Sequence, residues 1–160
     1  IPTLQADAPS RRFELRGMPM DKMSLAQSAL ENALHNGPAQ MSMGIGRQPL
    51  FSINNQYMNM QVINQRLRLG STEIWEVFND AEMAHTFHVH GTSFQILSRN
   101  GKAPPAYETG WKDTLLIRRT ETIRFIAHYG QPAPDDFPYM YHCHMLEHED
   151  NGMMGQFTVS

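Results

Sequence analysis

Two short windows hold the residues whose types and spacing could do chemistry. The first runs His85-Thr86-Phe87-His88-Val89-His90-Gly91. The second runs His142-Cys143-His144-Met145-Leu146-Glu147-His148 and on to Gly152-Met153. Six of the eight histidines and the single cysteine of the chain fall inside them. Imidazole and thiolate are ligands for copper, zinc and iron, and a thioether narrows the choice towards copper. Cys143, His148 and Met153 follow one another at intervals of five residues. With one distant histidine they supply the two-His, one-Cys, weak-Met set of a type 1 (blue) copper site. Zinc fits less well, because its closed tetrahedral sites use several cysteines. A lone cysteine is ordinarily a small inert hydrophobe, and isolated histidines such as His35 and His128 read as hydrogen-bonded surface or core residues. Six histidines and a cysteine at this spacing do not.

Strand geometry sorts the donors. Side chains alternate faces along an extended segment, so His142 and His144 point one way and Cys143 the other. The same parity sets His88 and His90 on one face and His85 on the opposite one. If the windows are neighbouring strands, one face gathers His85, Cys143, His148 and Met153, and the other gathers His88, His90, His142 and His144. A few covalent bonds join the two sets through Cys143, an arrangement suited to electron transfer between metals.

The elements that must position these donors read mostly as strand and turn. Extended segments are expected at Arg12–Leu15, Phe51–Ile53, Thr72–Phe78, Ser93–Ser98, Thr114–Ile117, Ile123–Ala127, Tyr139–His144 and Gly155–Val159. Asn54-Asn55 and Asn100-Gly101 are turn signals between them. Short strands at turn-punctuated intervals argue for an all-β Greek-key sandwich or barrel. Into it, from about residue 17 to 47, a Met-rich loop and helix looks inserted. Ser24-Leu25-Ala26-Gln27 has the form of a capping box, apolar residues recur at helical spacing to Leu34, and Gly37-Pro38 ends the element.

Length and charge exclude other classes. The 160 residues suit one domain with a sizeable core. A net charge of −3 gives no basic field for nucleic acid or an anionic membrane, and no apolar run is long enough to span a bilayer. The first nine residues lack the features of a signal peptide, which suggests a mature exported chain or a piece of a longer one. One cysteine allows no internal disulfide, so pairing says nothing of the redox compartment.

The two windows resemble the carboxy-terminal copper motifs of the multicopper oxidases, H-x-x-H-x-H-G and H-C-H-x-x-x-H-x-x-x-x-M. Both are matched without a gap, at 85–91 and 142–153. The wording of Gly110-Trp111-Lys112-Asp113-Thr114 and Glu147-His148-Glu149-Asp150 is most similar to bacterial copper-efflux (cuprous) oxidases. The resemblance implies a third cupredoxin domain over residues 1–160, with the amino-terminal domains absent from this chain. It implies that His85, Cys143, His148 and Met153 bind the type 1 copper and His88 the type 2 copper. His90, His142 and His144 then bind the type 3 pair, Cys143 carries electrons, and Glu149 relays protons. A complete enzyme of the family holds four coppers, with eight histidines around its trinuclear cluster. This chain supplies four of those histidines, hence one full site and half a cluster. Its implied partners are the amino-terminal cupredoxin domains, O2, and Cu(I) or phenolic reductants. Its implied compartment is the periplasm, with secretion as the alternative.

Methionine occurs twelve times. Met58, Met60 and Met140 lie near strand patterns and read as core fillers. Met18-Pro19-Met20-Asp21-Lys22-Met23 and Met41-Ser42-Met43-Gly44 sit in Gly/Pro-bearing loops where burial is not the obvious explanation. By the resemblance Met18, Met20, Asp21, Met23, Met41, Met43 and Met83 bind substrate Cu(I), since soft thioethers select that ion. The alternatives are a laccase or bilirubin-oxidase type with a merely structural insert, and an electron-transfer cupredoxin with one blue copper. A carrier has no use for His88, His90, His142 and His144, and a copper-free relative would have lost ligands.

Overall fold

A computed structural model describes residues 8–17 and 51–160. Ten strands follow one another: β1 (Ser10–Gly17), β2 (Phe51–Ile53), β3 (Gln65–Leu67), β4 (Ser71–Asn79), β5 (His85–Val89), β6 (Phe94–Arg99), β7 (Thr114–Ile117), β8 (Thr122–Tyr129), β9 (Tyr139–Cys143) and β10 (Met154–Val159). A 3-10 turn at Ala106–Glu108 and a short helix α1 at Leu146–Asp150 interrupt them. The strands form two five-stranded sheets, in the orders β2-β1-β4-β8-β6 and β3-β10-β9-β5-β7. From β4 to β9 the chain changes sheet at every strand, so the all-β Greek-key sandwich expected from the sequence is the observed fold. β1 runs parallel to β4 and β3 parallel to β10, while the other pairs are antiparallel.

All eight expected strands are present; β1, β4, β8 and β10 are one to four residues longer than expected, β2 and β7 have the expected bounds, and β6 is shifted by one residue. β9 is shorter: it ends at Cys143, so His144 lies just beyond the strand. β5 and the three-residue β3 complete the set. Both turn pairs have the conformation their sequences favour. Asn54 and Asn55 stand at φ 54° and 59°, and Asn100 and Gly101 at 48° and 74°, as a two-residue hairpin loop with right-handed twist demands. The insert expected over 17–47, its helix and its methionines lie outside the described residues beyond Gly17.

The core is aromatic. Trp75 of β4 lies 4.5 Å from Phe13, 5.5 Å from Tyr129, 5.7 Å from Phe157 and 5.9 Å from Tyr141, ring centroid to ring centroid. It thus touches rings of both sheets. The inward parity of β4 is that of Glu73, Trp75, Val77 and Asn79, so two polar side chains are buried with the apolar ones. Each is satisfied. Glu73 accepts from Arg11 Nε at 2.6 Å and from Trp75 Nε1 at 3.2 Å. Asn79 Nδ2 donates to the carbonyls of Met83, Ile117 and Arg118. The reading of three methionines as core fillers needs correction. Met60 is 65% exposed, and Met58 and Met140 are half-buried. Their loop and strand positions put them at the rim; among the described residues the methionine that fills the core is Met153.

Trp75 joins the two layers, so its truncation leaves a void that neither sheet can close. Trp75→Ala is expected to cost about 3–5 kcal/mol. Urea unfolding should show this as a lowered midpoint with an unchanged slope.

Candidate metal centres

The pairing of β5 with β9 brings the windows together, with Phe87 opposite Cys143 and His88 opposite His142. Along β5 His85, Phe87 and Val89 are buried, while Thr86, His88 and His90 are half-exposed. The two donor sets therefore lie on opposite faces of one sheet, as the parity argument requires.

On the inner face His85 and Cys143 are fully buried and His148 nearly so. The two Nδ1 atoms stand 3.0 Å apart, and each is 3.5 Å from the Cys143 sulfur. A point equidistant from three atoms so spaced lies ~1.9 Å from each, against roughly 2.0–2.3 Å for imidazole nitrogen or thiolate on a zinc-sized ion. The triangle thus accepts one first-row metal ion with a shift of a few tenths of an ångström at most. Met153, also fully buried, closes the loop: its N–H donates to the His148 carbonyl, and its own carbonyl accepts the Cys143 N–H, both at 3.0 Å. Those two bonds and the single turn of α1 hold the five-residue intervals in place. Phe51 of β2 stacks on the His148 ring at 3.9 Å and meets the His85 ring edge-on at 6.0 Å, which keeps water out. Burial, reinforced by the neighbouring His148, pushes His85 down to about 4, and burial pushes the Cys143 thiol up. Both groups are neutral at pH 7 without a metal. The buried Nε2 of His85 has no hydrogen-bond partner.

The outer face carries four imidazoles with ring centroids 5.0 to 5.6 Å apart. Donor atoms of His88, His90 and His142 all lie within 4.8 Å of one another. His144 is exposed and stands beside them, its ring 5.3 Å from that of His142. The backbone sets the tautomers. His88 Nδ1 is 2.9 Å from the Asp113 carbonyl, with the Thr114 hydroxyl also at 2.9 Å. A carbonyl only accepts, so Nδ1 carries the proton and Nε2 is left as a bare donor. His142 Nδ1 donates likewise to the Cys143 carbonyl at 3.2 Å, with a Glu149 carboxylate oxygen at 3.4 Å. Its Nε2 then faces His90 Nε2 at 3.2 Å, a contact between ring nitrogens that a proton or an ion must mediate. Burial, and then the surrounding imidazoles, push His90 down, and burial pushes His142 down.

The site holds residues that the spacing of donors did not reveal. Thr86, inside the first motif, places its hydroxyl oxygen 4.0 Å from the Cys143 sulfur and accepts the His144 N–H at 3.1 Å. Phe51, Asp113 and Thr114 are the other contacts described above. Met83 is half-buried and packs against the core. Met18, Met20, Asp21, Met23, Met41 and Met43 lie outside the described residues.

The sequence model of the multicopper oxidases matches residues 23–160. A multicopper oxidase mco of Staphylococcus epidermidis is 32% identical over 174 residues, covering 96% of this chain and 38% of that protein. A laccase of Bacillus stratosphericus is 33% identical over 129 residues, covering 69% of this chain and 24% of that protein. Among solved structures, the laccase-like multi-copper oxidase CueO of Ochrobactrum sp. superposes with a TM-score of 0.72 at 36% identity, over 99% of this chain and 33% of that one. The chain thus spans between about a quarter and two fifths of the length of these relatives.

Two outcomes follow from the geometry. Between the ordinary histidine value of 6.5 and about 4 an unfolded chain takes up a proton at His85 that the folded site refuses. The metal-free protein should therefore lose stability as pH falls from 6.5 towards 4, with no contribution from His85 above 6.5, as urea midpoints across that range will read. At Gly91, where φ is +71°, a Cβ would run into the Tyr139 ring, 2.6 Å from its Cδ2. Gly91→Ala is expected to destabilise the protein by about 1–3 kcal/mol. It should weaken ion uptake by the adjacent His90 face while sparing the inner triangle, which two-site titration with a divalent metal will resolve.

Proposed function

The chain belongs to the multicopper oxidase family, and from that membership we propose that it is the carboxy-terminal cupredoxin part of an oxidase. Such an enzyme couples one-electron oxidation of a reductant to four-electron reduction of O2. One observation carries the reading: a buried thiol and two imidazole nitrogens converge on the inner face, while four imidazoles cluster directly behind it on the outer face.

In this reading His85, Cys143, His148 and Met153 hold the type 1 copper. His88 holds the type 2 copper, and His90, His142 and His144 serve the type 3 pair. Four coppers, when bound, supply the one-electron chemistry on the inner side and the reduction of dioxygen to water on the outer side. The chain's own residues prepare both. Phe51 and the core keep the sulfur dry. The peptide bonds from Cys143 to His142 and His144 offer a covalent path of a few bonds between the faces. Glu149, half-buried and 3.4 Å from His142 Nδ1, is placed to pass protons to the outer side. The outer face offers half a cluster, and amino-terminal cupredoxin domains bring the remaining histidines.

Cu(I) is the proposed reductant, with phenols as further donors. Met83 and the methionines and Asp21 of the insert are the proposed Cu(I) ligands, thioethers being soft enough to select that ion. The laccase reading, with phenols as the main substrate, has the support of a relative bearing that name. Among the described residues no helix is long and apolar enough to cross a membrane. The proposed compartment is the periplasm.

The copper-loaded protein should absorb intensely near ~600 nm through a thiolate-to-copper transition. Cys143→Ser should abolish that band and leave the outer histidines able to bind metal. Loss of no absorption on this substitution overturns the assignment of the sulfur. Removing residues 18–47 decides the substrate. Collapse of Cu(I) oxidation with phenol oxidation kept or raised supports the cuprous reading, and equal losses on both support the laccase reading.

A further inference from the structure

Thr86 stands where the two centres meet, at the point where β9 ends. Its carbonyl and its hydroxyl oxygen both accept the N–H of His144, each at 3.1 Å. A hydroxyl has one proton to give and two lone pairs. The Cys143 sulfur lies 4.0 Å from that hydroxyl oxygen, on a β-branched side chain stiff about χ1; a metal-bound thiolate has no proton to give, so in that state the hydroxyl is the donor of the pair. The backbone at Met145 and at Thr86 itself, together with the Thr86 side chain, favours the charged form of that sulfur, against the larger opposing effect of burial. A chain of hydrogen bonds therefore runs from the amide of an outer-face histidine, through one hydroxyl, to the inner-face thiolate.

We propose that Thr86 is a positioning and tuning residue for the oxidase: its hydroxyl hydrogen-bonds the Cys143 thiolate, weakens the sulfur as an electron donor to copper, and so raises the reduction potential of the inner site. The inference rests on the reading that Cys143 binds copper. Its physical basis is general. Hydrogen bonds around a copper-bound cysteine sulfur tune the potential, because density held by the hydrogen bond is not given to the metal and the oxidised state loses most by it. The His144 amide polarises the hydroxyl and strengthens its donation. A merely structural role is covered by the Thr86 carbonyl, which holds the His144 N–H whatever the side chain is. The hydroxyl can thus be removed without breaking the strand contact.

The test compares copper-loaded protein with Thr86, Thr86→Val, Thr86→Ala and Thr86→Ser by redox titration against a one-electron mediator and by resonance Raman of the metal–sulfur stretch. Valine keeps the shape and drops the hydroxyl, alanine drops it without crowding, and serine restores it. At fixed mediator poise, valine and alanine are expected to shift the ratio of oxidised to reduced inner copper about threefold to tenfold towards oxidised, the share of a charged hydrogen bond that differs between the two states. They should also move the stretch to higher frequency. Serine should return both to the parent values. Parent-like ratios in valine and alanine, or a serine variant that behaves as valine does, overturn the role of Thr86 while leaving the copper assignment intact. Absence of the thiolate band in the parent protein overturns the copper assignment and the inference with it.

Discussion

One constraint underlies both centres: the register of β5 against β9. Phe87 faces Cys143 and His88 faces His142, and the period of a strand is two. Thiol and imidazoles are therefore sorted to opposite faces of the sheet by backbone geometry alone. A slip of one residue would turn Phe87 towards solvent and bring the outer histidines into the aromatic core, so packing fixes the register strongly. Phe87 is fully buried and its ring lies 5.9 Å from that of Phe13 in the opposite sheet. The core that stabilises the sandwich is thus also the gauge that aligns the donors. The two faces then provide different media. The inner donors are buried, with His85 and Cys143 held neutral, while the outer imidazoles range from buried His142 to exposed His144 and face outward.

The outer set depends on a second chain of supports, running through the loop before β7. Asp113 gives its carbonyl to both His88 Nδ1 and the Val89 N–H, so one peptide fixes a strand and a tautomer together. The loop is itself pinned. Lys112 and Phe94 exchange backbone hydrogen bonds at 2.7 and 2.9 Å, and Arg99 grips Glu108 through two hydrogen bonds, at 2.5 and 3.0 Å, and Glu121 at 3.0 Å. Arg99 and Glu121 are nearly buried, where charge pairing with hydrogen bonds is needed to offset desolvation. The loop that positions the His88 ring is therefore itself tied to β6 of the opposite sheet.

Much of this was legible in the residues themselves. The parity of two His-rich windows separated the donor sets, and the Asn54-Asn55 and Asn100-Gly101 pairs announced turns that only residues tolerant of positive φ can make. β-branched runs marked β7 and β8. What could not be read depended on distant partners. Gln65–Leu67 is too short and polar to signal a strand, and becomes one because β10 pairs with it. Glu73 and Asn79 lie on the buried face of β4 because Arg11 and three backbone carbonyls satisfy them, a compensation invisible to a hydrophobicity pattern. Met60 shows the converse, an apolar residue beside strand-like sequence that ends exposed in a loop. Thr86 and Phe51 matter to the inner triangle through contacts with residues 57 and 97 positions away, which spacing alone does not encode.

The guanidinium of Arg11 bridges the sandwich. From β1 it holds Glu73 in its own sheet and also reaches Gln65 and the Arg66 carbonyl on the edge strand of the other. Next to it, Arg66 pairs with Asp135 in a bridge whose side chains are both 62% exposed. Salt screens the second pair more strongly than the first, whose Glu73 carboxylate is buried. Brine therefore weakens the outer tether of that edge before the inner one, which spans the two layers from Arg11 to Glu73, Gln65 and the Arg66 carbonyl.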